Sequence, residues 1–267
     1  MAGIDATTWL FVPGNAPHRF GKAAAAGAGA VIIDLEDAVR HEDKDMARAE
    51  ALRWLTSGGK AWVRVNAVDT AWFAADIEAI AAAEGLLGVV LPKAENPSSL
   101  TALASRLRPG AGIVALIETA VGLHRVHDIA ATPGLGRLAF GSLDFAADLR
   151  ADDTHDAMLL ARTTIVLASR VAGLPAPIDG VSTVIDDAEA VEKSARRSRS
   201  LGFRGKLCIH PAQLAPARRG LAHSEEEIAW ARAVLDAAEG SAGAVTGPDG
   251  QMIDKPVLDR ARAILGF

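Results

Sequence analysis

The 267-residue chain is half apolar and carries 33 acidic against 28 basic side chains, a formal net charge of −5. That composition excludes disordered, collagen-like and coiled-coil chains and is enough for one large core. The acidic balance argues against nucleic acid as a partner, and Arg196, Arg197 and Arg199 read as a solvated helix face. The lone Cys208 excludes an internal disulfide and a cysteine-based zinc site, and is expected to be a buried small apolar residue. No run of roughly eighteen apolar residues occurs, and no basic leader precedes the first strand-like run near Thr7. The expectation is a cytoplasmic protein with no membrane partner.

Short β-rich runs alternate with Ala-rich helical runs along the chain. Strands are predicted at Thr7–Pro13, Ala30–Glu36, Ala61–Asn66, Gly88–Lys93, Gly112–Thr119, Arg137–Asp144, Pro175–Val181 and Gly205–Pro211. Helices are predicted between them at Ala16–Ala26, Lys44–Leu55, Ala71–Ala83, Pro97–Leu107, Ala120–Ala130, Thr154–Ala172 and Asp187–Leu201. The runs Val31-Ile32-Ile33, Val89-Val90-Leu91 and Ile113–Ile117 are apolar without alternation, as in strands covered on both faces. This rhythm predicts an α/β fold, a closed (β/α)8 TIM barrel. A helix near Ala212–Leu221 follows, then one capped by Ser224 with Glu227 three residues on, a Gly-rich link and a last helix after Pro256. The link, Gly240–Gly250, is the expected mobile segment, a lid or arm, because its glycines lose the most backbone entropy on ordering. Residues 1–222 are assigned to the barrel and residues 223–267 to a C-terminal helical arm.

In such barrels chemistry sits at the C-terminal ends of the strands. Here those ends carry Asp34-Leu35-Glu36-Asp37, Arg64-Val65-Asn66, Pro92-Lys93, Glu118-Thr119, Ser142-Leu143-Asp144, Asp179 and His210-Pro211. Glu118 and Asp144, read as ends of neighbouring strands, suit a hard cation that takes one or two carboxylates, which points to magnesium before zinc. Arg64 offers a planar two-donor fork to a carboxylate or a developing oxyanion; the alternative is an internal pair with Glu36 or Asp37. Pro13 to Arg19 leads from strand to helix, where backbone N–H groups meet anions, and Arg19 and Lys22 either add charge there or face solvent. Gly27-Ala28-Gly29 precedes its strand, the wrong side for a dinucleotide. His124 and His127 read as a surface pair.

Leu10-Phe11-Val12-Pro13-Gly14, Asp34-Leu35-Glu36-Asp37-Ala38-Val39, Val63-Arg64-Val65-Asn66, Leu91-Pro92-Lys93-Ala94-Glu95, Ile117-Glu118-Thr119-Ala120, Gly141-Ser142-Leu143-Asp144-Phe145, Cys208-Ile209-His210-Pro211-Ala212-Gln213 and Gly250-Gln251-Met252-Ile253-Asp254-Lys255-Pro256 follow one another along nearly the whole chain. In that order and spacing they resemble the citrate lyase beta-subunit and malyl-CoA lyase (HpcH/HpaI aldolase) family. The resemblance implies a TIM barrel with a C-terminal helical part, usually a trimer or higher homo-oligomer. The implied activity is Mg2+-dependent cleavage of a citryl, malyl, citramalyl or hydroxymethylglutaryl thioester of CoA to acetyl-CoA and an oxo compound, or the reverse. It also implies roles for individual residues. Glu118 and Asp144 would hold the metal, Arg64 would clamp the oxo-acid portion, and Glu36 with Asp37 would hold metal waters and Arg64. Asp254 would be the acid/base, reaching a neighbouring subunit's site. Pro13, Arg19, Lys22, Asn66 and Lys93 join Arg64 as expected substrate or CoA contacts. Two alternatives stand beside this: an aldolase of free hydroxy-oxo acids, and a subunit that acts only on acyl carrier protein thioesters within a complex.

Overall fold

The computed structural model describes residues 3–239, 245–246 and 252–266. The predicted Gly-rich link therefore lies outside the described residues, apart from 245–246. The chain divides into two compact units, Met1–Leu221 and Ala222–Phe267.

In the first unit, β1 (Thr8–Pro13), β2 (Ala30–Asp34), β3 (Ala61–Arg64), β4 (Leu86–Leu91), β5 (Gly112–Ile117), β6 (Arg137–Phe140), β7 (Ile178–Asp179) and β8 (Gly205–Cys208) close into a barrel in sequence order. All pairings in the barrel are parallel, and β8 returns to β1 through Trp9↔Leu207. The helices on the outside are α1 (Phe20–Ala25), α2 (Lys44–Thr56), α3 (Phe73–Ile80), α4 (Pro97–Arg106), α5 (Ala120–His124), α6 (Val126–Ala130), α7 (Ser142–Leu149), α8 (Leu159–Val171), α9 (Ala188–Leu201) and α10 (Leu214–Leu221). This is the (β/α)8 architecture expected from the sequence. Apart from β1, which ends at Pro13 as predicted, the strands end earlier than their sequence patterns, because the polar residues past the last ladder pair belong to the loops. The largest departure is at β6: the chain leaves the strand at Phe140 and enters α7 at Ser142, so Asp144 sits in the first turn of a helix and not on a strand.

Each strand sends alternate side chains to two different cores. Outward residues such as Leu10, Ile33, Val63, Val89, Ala115, Leu138 and Phe140 pack under the helices. Inward residues, among them Trp9, Ile32, Trp62, Val90, Val114, Ala139, Ile178 and Leu207, fill the barrel. Trp9 and Trp62 meet edge to face at 5.0 Å, and Gly88 is needed opposite them, since a Cβ there would stand 2.3 Å from the Trp62 ring. The N-terminal end of the barrel is closed by Arg137. Its guanidinium donates to the carbonyls of Ile4 and Ala6, both at 2.8 Å, and Ala176 at 2.6 Å. Cys208 is buried on the outward layer, and burial pushes its thiol up to about 11.

In the second unit, α11 (Glu225–Glu239) and α12 (Lys255–Leu265) pack through Ala231, Val234 and Ala261, beside a short antiparallel pair, β9 (Val245–Thr246) with β10 (Met252–Ile253). The predicted capping box is present: Glu227 N–H donates to Ser224 Oγ and Ser224 N–H to Glu227 Oε2. Among the described residues no helix is long and apolar enough to cross a membrane.

Candidate active site

Continuing the inward alternation to the C-terminal end of the barrel places polar residues where the apolar filling stops. On β2 the inward series Ala30, Ile32 ends at Asp34, on β3 Trp62 is followed by Arg64, and Asp34 pairs with Arg64 in register. On β5 the series Val114, Leu116 leads to Glu118, one residue past the strand. These side chains therefore converge on the mouth of the barrel by strand geometry alone.

Arg64 is gripped on several sides. Its Nε and one terminal nitrogen donate in parallel to the two oxygens of Asp34, both at 2.7 Å. Its other terminal nitrogen lies 3.0 Å from Glu36 Oε2 and 3.3 Å from Asp37 Oδ2, and the Phe11 ring lies beneath the guanidinium at 4.8 Å. Burial alone would weaken its charge, but Asp34, Glu36 and Asp37 outweigh it and raise its pKa. Burial likewise works against an ionised Asp34, and Arg64 overcomes it, holding that carboxyl below its ordinary value.

Lys93 supports the opposite side. Its backbone adopts φ 46°, a left-handed conformation costly for a residue with a Cβ. That conformation lets its N–H donate to Glu118 Oε1 at 2.8 Å while its Nζ reaches Glu36 Oε1 at 2.8 Å. Glu118 is 1% exposed, and its Oε2 has no hydrogen-bond partner among the described residues. Burial first, then the charges of Glu36 and Asp144, push Glu118 up to about 8. Gly141 makes the room beside it: a Cβ there would stand 2.4 Å from that same Oε2.

A cavity of about 190 Å3 opens over these groups. Its lining is part polar, with Asp37, Arg64, Glu118, Ser142 and Asp144, and part apolar, with Phe11, Leu116, Val181, Leu207 and Ile209. Among the described residues no group of three or more His, Cys, Asp or Glu forms a ready-made metal cage. Two carboxylates, one of them buried with an unpartnered oxygen, instead fit a hard cation that completes its octahedron with water and substrate.

Not every rim residue joins this cluster. Asn66 is buried with its amide spent on Asp76 and Lys44. Pro13 ends β1, while Arg19 and Lys22 are exposed on the turn and helix that follow. Asp179 takes the outward alternation and is bound by Arg162, Lys206 and Ser198 outside the barrel. His124 and His127 are exposed on α5 and α6. Asp254, in the second unit, caps α12 by accepting from Val257 N–H at 3.1 Å. The sequence reading placed Asp34 on the rim but offered Arg64 only Glu36 or Asp37 as internal partners; Asp34's period-two spacing from Ala30 and Ile32 is the signal that would have added the main one.

A closed parallel barrel whose C-terminal mouth holds a partly buried arginine together with two carboxylates that fit a hard cation defines a barrel enzyme of the metal-assisted kind. A family model for HpcH/HpaI aldolase/citrate lyase matches residues 7–211. A citrate lyase subunit beta-like protein of Mycobacterium tuberculosis is 39% identical over 264 residues, covering 96% of this chain and 93% of its own. A (3S)-malyl-CoA thioesterase of Cereibacter sphaeroides is 35% identical over 274 residues, covering 97% and 95%. The crystal structure of CitE from Mycobacterium tuberculosis in complex with magnesium, acetoacetate and coenzyme A matches with a TM-score of 0.88 at 36% identity, over 98% of each chain. The chain belongs to the HpcH/HpaI aldolase/citrate lyase family, and is an enzyme of the lyase class.

Proposed function

We propose that the protein is a Mg2+-dependent carbon–carbon lyase that cleaves a 3-hydroxyacyl-CoA thioester of the malyl, citramalyl, citryl or hydroxymethylglutaryl type to acetyl-CoA and an oxo compound. The observation that carries this reading is the buried Glu118 Oε2, without a partner among the described residues, in a cavity that Asp144 and Arg64 also line. Relatives crystallised with magnesium, acetoacetate and coenzyme A support it.

Glu118 and Asp144 would hold the metal, which when bound supplies Lewis-acid polarisation of the substrate's oxygens. Arg64, immobilised by Asp34, Glu36 and Asp37, presents preorganised positive charge to the oxo-acid carboxylate and to the oxygen that becomes a carbonyl. The substrate's 3-hydroxyl gives up its proton and becomes that carbonyl as the C2–C3 bond breaks. The bond's electron pair passes to the acetyl thioester as an enolate, which then takes a proton at carbon. Asp254 is assigned the acid/base role by family resemblance, from a neighbouring copy in a homotrimer or higher oligomer. Lys93 holds Glu118 through its backbone N–H and Glu36 through its ammonium. The cavity admits a small oxo-acid fragment, and its apolar wall would receive a hydrogen or methyl substituent.

The thioesterase relative favours a second reading, hydrolysis of the same thioester to a free hydroxy acid and CoA. The test is a panel of CoA thioesters incubated with protein and magnesium, with products resolved by mass. Acetyl-CoA plus an oxo compound supports the lyase; free hydroxy acid plus CoA supports the hydrolase. Turnover confined to carrier-protein thioesters or to free hydroxy-oxo acids would overturn the CoA assignment.

A further inference from the structure

We infer that Lys44, on α2 behind the site, is a positioning residue that sets the Glu36–Arg64 pair; the inference rests on the lyase reading above. Lys44 is 4% exposed. Its ammonium spends its three donors on neutral acceptors: Leu35 O at 2.6 Å, Glu36 O at 2.7 Å and Asn66 Oδ1 at 2.5 Å. Its fourth neighbour is the Trp72 ring, 5.5 Å from Nζ. A buried cation without a carboxylate in hydrogen-bond contact is costly, and the same face of α2 is otherwise filled by Ala47, Ala51 and Leu55. Packing alone has no use for it.

Its effect is on the turn after β2. Successive carbonyls of an extended chain point to opposite sides, whereas those of Leu35 and Glu36 both meet one ammonium, which requires the backbone to turn there. From the other side, Asp34 accepts from Glu36 N–H at 2.9 Å and Ala38 N–H at 3.2 Å. The loop is thus clamped between a carboxylate facing the barrel and an ammonium behind it. Glu36 is thereby aimed at Arg64 and Lys93. The ammonium is itself oriented: Asn66 gives both its backbone N–H and its side-chain amide to Asp76 Oδ2, leaving its oxygen for Lys44, and Arg48 Nε holds Asp76 Oδ1 at 2.8 Å. A buried chain from Arg48 through Asp76, Asn66 and Lys44 therefore ties α2 and α3 to the loop that carries Glu36.

The experiment is a double-mutant cycle on the full chain with Mg2+ and the thioester found to turn over, using Lys44→Met, Glu36→Gln and the double variant. Because misplacing a clamp by about 1 Å costs on the order of a hundredfold, Lys44→Met should lower kcat by about ten- to a hundredfold with little change in KM. In the Glu36→Gln background the same substitution should add almost nothing. Lys44→Gln, which keeps a donor without the charge, should fall between wild type and Lys44→Met, and carries the same cycle if Lys44→Met does not fold. Unchanged kcat in a folded variant, or an equal loss in both backgrounds, would overturn the inference. Should the wild type turn over no thioester, the lyase reading fails by itself. The cycle is then read by calorimetric titration of pyruvate in the presence of Mg2+, where additive losses would again overturn the role of Lys44.

Discussion

The two ends of the barrel each hold an arginine on the inward face of a strand, buried at one end and partly buried at the other, and they differ in what surrounds it. Among the described residues Arg137 on β6 donates to backbone carbonyls, and burial pulls its pKa down to about 10 against the charge of Asp5. Arg64 on β3 meets three carboxylates, which raise its pKa, and shares its cavity with a Glu118 oxygen that has no partner among the described residues. Neutral acceptors make an arginine into a plug, whereas charged partners with an unpaired oxygen nearby leave a group that the proposed cation would satisfy. Buried polar groups left unsatisfied cost stability; among the described residues one at the mouth is a carboxylate oxygen of Glu118, which a cation can satisfy, whereas one towards the closed end is the neutral Trp62 Nε1 beside Gly3.

The sharpest way to test that contrast is at the mouth. Asp144→Ala should remove Mg2+-dependent turnover, and Arg64→Lys should be nearly as damaging as Arg64→Ala, each with losses on the order of a thousandfold or more, since an ammonium lacks the planar fork. Thermal unfolding should stay cooperative in all three. Full activity in Arg64→Lys would show that a local positive charge is enough. Gly141→Ala should come next: its methyl would collide with Glu118 Oε2, and a drop of about a hundredfold in kcat/KM is expected from a displaced ligand. Mg2+ titration by calorimetry should show the weakening directly, and unchanged affinity would remove Glu118 from the metal site.

At the closed end the effect should move from activity to stability. Arg137→Leu leaves three carbonyls without a donor and should cost about 3 kcal/mol in denaturant unfolding while kcat stays near wild type. A large kcat loss with intact stability would erase the distinction between the ends. The smallest expected effect is a pH dependence. With its pKa raised from 4.5 to about 8, Glu118 is protonated in the metal-free folded protein at neutral pH. Its contribution to metal-free stability is full below about 4.5, where both states are protonated, and is lost as pH rises through 8. Mg2+ binding should therefore release a proton at pH 7, and apparent affinity should rise by at most about tenfold per pH unit up to 8. Calorimetry in buffers of different ionisation enthalpy measures that proton, and Glu118→Gln should abolish it.

The alternation of apolar strand runs with helical runs determined the barrel, because a parallel sheet covered on both faces leaves no other residue pattern. That Arg64, Glu118 and Asp144 meet at one cavity was legible for a related reason: the C-terminal ends of the strands of a closed barrel converge on its mouth. The same pattern did not separate Asp179 from them. A one-residue difference in alternation sends Asp179 outward to Lys206 and Arg162, and alternation is hard to read in a strand of two residues. Nor did it reveal that Asp144 begins a helix, since Gly141-Ser142-Leu143 suits a strand end equally well. Asp34 as the grip on Arg64, the unpaired oxygen of Glu118 and the ammonium of Lys44 behind the Glu36 loop were decided only in three dimensions. Each depends on side chains 25 to 30 residues apart, or on carbonyls turned toward one atom, and the distances that create hydrogen bonds and desolvation exist only once the strands have closed into the barrel.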